Sequence, residues 1–245
     1  IRSIAGQKKV KVHHWVFDGG SNDGSKELLE KKKKNIFFVS EKDKGQSDAL
    51  NKGVKKLFGW IKKEKKNPKE VIFAYLNSDD YYLPGALSSV ADIFEKMKDV
   101  LWVVGDCVIV DEKNREIQQP IRWYKKFWRN FLSLTLLSIL NPIPQPAVFF
   151  RASEVVKIGL FNEKLKYTMD FQYWFRAFKK SGQPFKTSQP LAAFRIHSLS
   201  KGGSQFEKQF AEQFAVTKMY VDNTLSLVLQ RCHNLLITSI YRLIK

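Results

Sequence analysis

The sequence predicts an α/β protein with a doubly wound, mostly parallel sheet flanked by helices and a helical C-terminal extension. Short runs typical of strands alternate with stretches that repeat apolar residues every three or four positions. Strands and helices in alternation favour a parallel sheet with right-handed crossovers. The chain has 245 residues, 44% of them hydrophobic, which is enough to bury a large core.

The first half of the chain contains three strand-like runs. Residues 10–18 alternate in character and end at Asp18, whereas residues 35–40 and 71–77 are short, mostly apolar runs like those of buried parallel strands. Between the last two runs, residues 50–61 keep apolar side chains at helical spacing. Two strand–helix steps are therefore predicted before residue 80.

The next elements follow the same alternation. Pro84 opens a helix with one apolar stripe, and residues 101–110 form the next strand candidate. Residues 122–140, aromatic and basic and then apolar, predict a helix. That helix is broken by a proline-rich segment, after which residues 147–151 predict another strand.

The last elements are helical. Phe171, Trp174, Phe175 and Phe178 give one apolar helical face, which Gly182 closes. The pattern from Gly202 onward is helical throughout, with Phe206, Phe210 and Phe214 four residues apart. We therefore expect an α/β domain over residues 1–201 and a helical extension over residues 202–245.

Composition restricts the class of protein. The net charge is +18, and much of it lies in lysine runs, 31–34 and 62–66, at the ends of helical patterns. Such runs favour solvated faces over nucleic-acid binding, although the basic surplus suits anionic membrane surfaces or phosphorylated ligands.

Cys107 and Cys232 lie in unrelated contexts, which predicts a reducing cytoplasm. The apolar run 131–140 is too short to span a bilayer.

Acidic residues follow three of the predicted strands directly. They are Asp18, the pair Glu41 and Asp43, and the pair Asp79 and Asp80. Each cluster alone is as well explained by a helix cap or a turn. Three clusters at equivalent strand ends favour a site, because ligands of open parallel sheets bind beyond those ends.

The acidic site of this basic protein suggests a divalent cation under a diphosphate. A cation relieves the repulsion between adjacent carboxylates, and oxygen ligands suit Mg²⁺ or Mn²⁺. The sequence contains neither a GxxxxGK[ST] loop nor a GxGxxG fingerprint. The diphosphate is therefore not held by either of those phosphate-binding loops.

Several stretches of residues 1–201 resemble the family-two glycosyltransferases, inverting enzymes of the GT-A fold that use nucleotide-diphospho-sugars. In order, they are WVFDGGSNDGS, SEKDKGQSDALNKG, YLNSDDYYLPGAL and NPIPQPAVFFR, followed by GLFNEKLKYTMDFQYWFR and AFRIHSLSK. Any one stretch is weak evidence, but the ordered set is specific. The resemblance implies metal-dependent transfer of a sugar to an acceptor hydroxyl with inversion.

The resemblance also assigns residues. It makes Asp170 the catalytic base, with Asp80, Asp79 and His197 at the Mn²⁺ or Mg²⁺ ion and Lys201 beside them. It assigns the nucleotide-sugar pocket to Asp18, Asp23, Glu41, Asp43, Asp48, Asn51 and Asp79. The position of Asp170 near a helix start supports its role independently, since the helix dipole favours the ionised form that a base requires.

The resemblance further predicts partners and a context. A UDP-sugar is expected as the donor on base rate alone, with a saccharide or lipid-linked acceptor, in cytoplasmic biosynthesis of cell-surface polysaccharide. Family members normally begin with a strand before a helix like IRSIAGQ, so we expect the natural protein to extend further upstream.

Two rival interpretations remain open at this stage. One is a catalytically inactive homologue that still binds nucleotide-sugars. The other is a basic membrane-surface or nucleic-acid-binding protein, for which only residues 122–129 (RWYKKFWR) interleave aromatic and basic side chains. The tail after Gly202 is expected to pack on the domain or pair in a homodimer; peripheral association with the inner face of the membrane is the alternative.

Overall fold

A computed structural model describes residues 1–197 and 206–244 of the chain. The strands are β1 (Trp15–Asp18), β2 (Phe37–Ser40), β3 (Ile72–Phe73), β4 (Tyr81–Tyr82), β5 (Trp102–Val110), β6 (Val148–Arg151) and β7 (Phe185–Arg195). The helices are α1 (Arg2–Ala5), α2 (Ser25–Lys32), α3 (Gln46–Lys63), α4 (Ala86–Lys96), α5 (Gln119–Asn130), α6 (Leu134–Ile139), α7 (Ala152–Ile158), α8 (Met169–Ser181), α9 (Phe206–Tyr220) and α10 (Thr224–Ile244).

The strands form two sheets. Strands β1 and β2 pair in parallel, and the other five lie in the order β3-β6-β5-β7-β4. The predicted α/β class is confirmed, but the expectation of mostly parallel pairing was wrong. In the five-stranded sheet only β5 and β7 are parallel, because β6 runs in the opposite direction between β3 and β5. An apolar run shows that a strand is buried but not which way it points.

The core lies between the five-stranded sheet and α8. Trp102 of β5 stacks on Phe150 of β6 with ring centroids 5.3 Å apart, and Trp174 of α8 stacks on Phe150 at 6.0 Å. Each such side chain, once fully buried, stabilises the fold by roughly 1.5–3 kcal/mol. The predicted apolar face of α8 is thus confirmed as its buried face, and this packing fixes where the helix begins.

The C-terminal helices pack on the rest of the chain. Tyr220 of α9 stacks on Phe175 of α8 at 5.1 Å and accepts a hydrogen bond from Gln172 at 2.6 Å. Helix α10 contacts α6 and α9. The predicted domain boundary at residue 201 lies outside the described residues. In the ranges 1–197 and 206–244, every helix is too short or too polar to cross a bilayer.

Candidate active site

The turn that carries Asp79 and Asp80 follows β3 and is held by the distant strand β7. Asp80 is only 6% exposed, and its Oδ1 accepts a hydrogen bond from the backbone N–H of Arg195 at 2.9 Å. Its Oδ2 accepts one from the Asn77 side chain at 3.3 Å. Asp80 is therefore enclosed by protein, whereas Asp79 is partly exposed.

The Arg195 side chain braces the same turn. Its guanidinium donates to the carbonyl of Asp79 at 3.0 Å, to the carbonyl of Asp111 at 2.8 Å and to the side chain of Asn114 at 2.8 Å. This positively charged brace joins the acidic turn to the loop after β5. Sequence reasoning missed Arg195, although it lies in the AFRIHSLSK stretch.

His197 contacts the acidic turn directly. Its Nε2 lies 3.1 Å from Oδ2 of Asp79, and both side chains are partly exposed. The structure thus brings together Asp79, Asp80 and His197, the three residues that the sequence predicts at the cation. Lys201 lies outside the described residues.

Burial makes Asp80 an unusual acid. Burial chiefly, with a smaller contribution from the charge of Asp79, raises its pKa to about 7, although the hydrogen bonds from Arg195 and Asn77 lower it. Near neutral pH the carboxyl is consequently divided between its protonated and ionised forms. A cation beside it would favour the ionised form.

The metal-ligating side chains at this turn fit a cation that binds together with a phosphorylated ligand. Within the described ranges, no group of three His, Cys, Asp or Glu side chains is arranged to hold a metal ion. Mg²⁺ is commonly bound by one or two carboxylates together with substrate phosphates and waters. Asp79 and Asp80 meet that pattern, since they supply two carboxylates and leave the remaining ligands to a phosphorylated molecule.

The start of α3 connects this turn to the helix that bears Asp170. Gln46 donates to the Asn77 side chain at 2.5 Å, and Asn77 also contacts Asp80. The next residue, Ser47, is buried, and its hydroxyl lies 2.7 Å from the sulfur of Met169 at the start of α8. Two adjacent side chains of α3 thus join the acidic turn to the first turn of α8.

Asp170 lies in that first turn of α8. Burial raises its pKa to about 6, although the backbone N–H groups of Phe171 and of Asp170 itself and the positive charge of Lys125 all lower it. The helix dipole, invoked from the sequence, favours the ionised form of Asp170, but burial has the larger effect on its pKa. Since a pKa near 6 leaves the carboxylate mostly ionised at neutral pH, the residue suits a general base.

Two side chains near Asp170 were missed by sequence reasoning. Burial raises the pKa of Tyr75, and the charge of Asp170 raises it further. In the part of the chain that the structure describes, the buried Tyr75 hydroxyl has no hydrogen-bond partner. Lys125 of α5 supplies the positive charge that faces Asp170. The charge of Asp170 thus acts on the Tyr75 hydroxyl, and the charge of Lys125 acts on Asp170.

A buried ion pair anchors α5 and so positions Lys125. Asp106 in β5 is 1% exposed and lies 2.5 Å from the Arg129 guanidinium and 2.8 Å from that of Arg122. Removing one partner of such a pair is costly, because the other charge is left buried. The helix predicted for residues 122–140 is divided into α5 and α6, and the tie of α5 to the sheet was not foreseen.

Glu212 of α9 holds the loop before α8. Its carboxylate accepts hydrogen bonds from the backbone N–H groups of Lys166 (2.9 Å), Tyr167 (2.7 Å) and Thr168 (2.8 Å), and from the Thr168 hydroxyl (2.9 Å). Hydrogen bonds to a charged acceptor are stronger than neutral ones. The C-terminal extension thereby fixes the backbone two residues before Asp170.

The acid at the end of β1 organises its own loop. Asp18 accepts hydrogen bonds from the N–H groups of Gly20 and Ser21 and from the hydroxyls of Ser21 and Ser40. Burial raises its pKa, but these four bonds lower it more, so the net pKa is below the ordinary value. In the ligand-free chain, the carboxylate is engaged by the protein.

The second acidic cluster packs against the first. A Cβ atom on Gly19 would lie 2.7 Å from the Asp43 carboxylate, so Gly19 allows the two clusters to approach closely. Asp43 accepts from the N–H of Gly45 at 2.8 Å, and Glu41 pairs with Lys52 at 2.8 Å. The sequence-predicted clusters at Asp18 and at Glu41–Asp43 thus form one wall.

The other predicted donor-pocket residues have mainly local partners. Asp23 accepts from the N–H of Ser25 at the start of α2, and Asp48 accepts from that of Lys44 before α3. Asn51 is 1% exposed and exchanges hydrogen bonds with the backbone of Phe161, at 2.8 and 3.0 Å, besides one to Glu163. Asn51 therefore supports the predicted pocket from the protein interior.

Comparison with families and relatives gives a consistent result. The family model described as glycosyl transferase family 2 matches residues 1–155. An uncharacterized glycosyltransferase of Rickettsia prowazekii is 28% identical over 208 residues, which cover 81% of this chain and 59% of that protein. One from Rickettsia conorii is 28% identical over 191 residues, 72% of this chain and 28% of that protein. The chain thus spans 59% or less of the length of these relatives.

Solved structures share the fold. TarS 1-349 of S. aureus superposes with a TM-score of 0.60 at 15% identity, over 94% of this chain and 64% of that one. A mannosyltransferase from Pyrobaculum calidifontis, in complex with GDP-Man and Mn²⁺, gives a TM-score of 0.57 at 12% identity, over 94% of this chain and 63% of that one. At these identities the likeness concerns the fold alone.

Proposed function

The chain belongs to glycosyl transferase family 2 and has the GT-A fold, and on that basis we propose that it transfers a sugar from a nucleotide-diphospho-sugar to an acceptor hydroxyl with inversion. One observation carries the proposal. Two acids with raised pKa values, Asp80 and Asp170, lie on segments joined by adjacent residues at the start of α3. Perturbed acids in one site are typical of catalytic centres.

The donor is proposed to lie over the Asp79–Asp80 turn. Asp80 and Asp79 would hold a Mn²⁺ or Mg²⁺ ion, with His197 beside them. Such an ion stabilises the negative charge that develops on a departing nucleoside diphosphate. Bound nucleotides in fold neighbours support this choice: a TarS structure contains UDP, and the P. calidifontis mannosyltransferase structure contains GDP-Man and Mn²⁺.

Asp170 is proposed to act as the base. It takes the proton of the acceptor hydroxyl while that oxygen bonds to the anomeric carbon and the bond to the diphosphate oxygen breaks, with the electron pair leaving on the diphosphate. Lys125 favours the ionised carboxylate before the reaction. The buried Tyr75 hydroxyl, which has no hydrogen-bond partner among the described residues, would be available to a sugar or acceptor hydroxyl. A single displacement inverts the anomeric centre.

The wall of Asp18, Asp23, Glu41 and Asp43 is proposed to receive the base and ribose, with Asp48 and Asn51 shaping it from α3. Asp18 would exchange one of its hydrogen bonds within the loop for a bond to the nucleotide. We further propose a UDP-sugar as donor, a saccharide or lipid-linked acceptor, and a cytoplasmic role in cell-surface polysaccharide synthesis. The expected class is therefore hexosyl transfer.

The test compares nucleotide-sugar hydrolysis and transfer, with Mn²⁺, in the wild type, Asp80→Asn, Asp170→Asn and the exposed control Asp99→Asn. Asp170→Asn is expected to keep nucleotide-dependent thermal stabilisation but to lose turnover by about 10²–10⁴-fold, the usual contribution of a general base. The turnover of Asp80→Asn is expected to be independent of the Mn²⁺ concentration. Equal hydrolysis by all four proteins would place the site elsewhere, and binding without turnover in the wild type would identify an inactive homologue.

A further inference from the structure

Helix α10 exposes an apolar face. Its large hydrophobic side chains Leu225, Val228, Leu229, Leu235 and Leu236 are between 43% and 68% exposed. At the helical spacing of these positions they form one stripe along the helix. No described part of the chain covers this stripe.

The opposite face of α10, which packs on the protein, is polar. Ser226, Gln230 and Asn234 follow one another at intervals of four and are all buried. Gln230 donates to the hydroxyl of Thr217 in α9 at 2.8 Å. This is the inverse of an ordinary surface helix, whose apolar face is turned to the core.

Helix α5 continues the exposed apolar surface. Trp123, Phe127 and Phe131 lie four residues apart and are 56% to 63% exposed. On the same helix, Tyr124 stacks on His233 of α10, with its hydroxyl 2.9 Å from the imidazole Nε2. The two helices thus lie side by side, and their exposed side chains together form the apolar surface of α5 and α10.

The charged side chains of the two helices that carry this surface have one sign. The segments 119–130 and 224–244 contain no Asp or Glu, in a chain with 24 such residues. Arg122 and Arg129 are paired with Asp106 and Glu116, but Lys126 lies on α5 and Arg231 is exposed on α10. Lys218 on the neighbouring α9 is also exposed. Basic side chains therefore predominate at the border of the apolar surface, although Glu207 of α9 lies near Leu235 and Asp222 precedes α10.

We propose that the apolar surface of α5 and α10 inserts into the interface of an anionic lipid bilayer, with α10 parallel to the membrane plane. Leucine and aromatic side chains beside basic ones are the composition of helices that lie in the headgroup region. Anionic headgroups complement the basic border, whereas two copies packed face to face would place like charges together. Lipid is thus the occupant that the charges favour.

Flotation of the full chain with vesicles tests the proposal, and it requires no sugar substrate, so it succeeds or fails independently of glycosyl transfer. The chain is expected to float with vesicles of phosphatidylcholine and phosphatidylglycerol, and less so at high salt. The triple variant Leu229→Ser, Leu235→Ser, Leu236→Ser and the double variant Trp123→Ser, Phe127→Ser should each lower the partition coefficient at least ~tenfold.

The control variant is Leu28→Ser, Met97→Ser, Val156→Ser, which removes equally exposed apolar side chains from other elements. It should float like the wild type. All these side chains are exposed, so circular dichroism and melting should show intact folds. The proposal fails if the wild type does not float, or if the stripe variants float as it does. It also fails if sedimentation shows a dimer that the stripe variants dissolve, because a second copy then covers the surface.

Discussion

The contact between Glu212 and the loop before α8 leads to a measurable prediction. Glu212→Ala removes four hydrogen bonds to Lys166, Tyr167 and Thr168. The substitution lies in the C-terminal extension, but its effect should appear at the start of α8, where Asp170 lies. Both the stability and the turnover of the protein are therefore expected to change.

The size of the effect follows from the burial of the donors. Thr168 is only 2% exposed, so water cannot replace its lost bonds, and an unsatisfied buried donor costs about 1–3 kcal/mol. The N–H groups of Lys166 and Tyr167 lie in more accessible residues and each lose about 0.5–1 kcal/mol. We expect the free energy of unfolding to fall by about 3 kcal/mol, which lowers Tm by roughly 6–12 °C in a chain of this length.

Two variants calibrate this prediction. Glu212→Gln retains one acceptor oxygen and should lose about half as much stability as Glu212→Ala. Asp222→Ala removes the same charge from an exposed position between α9 and α10, and it should melt near the wild type.

Calorimetry gives the melting temperatures. For Glu212→Ala, steady-state kinetics should show kcat falling ~10–10²-fold with little change in the donor KM, because the base is misplaced while the donor turn is untouched. If Glu212→Ala melts and turns over like Asp222→Ala, the reasoning is wrong.

Two further predictions concern the buried acids. Asp80→Asn should raise the free energy of unfolding of the metal-free protein at pH 8 by about 2–4 kcal/mol. The reason is that the rise in pKa from 3.8 to about 7 costs the ionised form roughly 1.36 kcal/mol per unit. Urea unfolding measures the gain, and a destabilised variant would contradict the prediction. The pH dependence of the wild type follows from the same values: in the native state Asp80 and Asp170 hold protons more tightly than in the unfolded state, so the free energy of unfolding should fall as the pH rises from about 4 to about 7, while turnover rises through pH 6 as Asp170 ionises. Urea titrations and initial rates across this range test both, and a stability that rises steadily over pH 5–7 would contradict the assignment.

The sequence predicted what depends on local pattern. Asp18 at the end of β1 and the apolar face of α8 lie where the pattern put them, because a strand or helix fixes the direction of its own side chains. Asp79 and Asp80 instead lie six and seven residues after the end of β3, which belongs to a different sheet from β1 and β2. Strand direction within the five-stranded sheet was not predictable in the same way. It depends on how β6 returns beside β5, over a separation of more than forty residues.

Residues whose importance depends on distant partners were missed. Glu212 acts 44 to 46 residues from its partners, and Arg195 acts more than 80 residues from Asp111. Nothing in the local sequence distinguishes such a glutamate or arginine from a solvated one. Asn51 shows the converse: it lies in a recognisable stretch, yet its burial and its bonds to Phe161 appear only in the fold.

The C-terminal helices show a second limit of periodicity. An apolar stripe in a sequence marks one face of a helix, and the usual inference turns that face toward the domain. In α10 the polar positions Gln230 and Asn234 face inward, where α9 supplies a partner for Gln230, and the leucines face outward. A helical sequence with one apolar and one polar face therefore predicts that the two faces have different surroundings. It does not predict which face packs against the protein.

The start of α3 makes the candidate site a coupled unit. Gln46 reaches the turn of Asp80 through Asn77, and Ser47 reaches the first turn of α8 at Met169. Adjacent residues on a rigid helix cannot move independently, so a shift of the acidic turn on ligand binding is transmitted to the backbone that carries Asp170. Glu212 constrains that backbone from its other side. The base is thus positioned by two contacts, one from the donor side of the site and one from the C-terminal extension, and weakening the contact from the extension should affect turnover before it affects donor affinity.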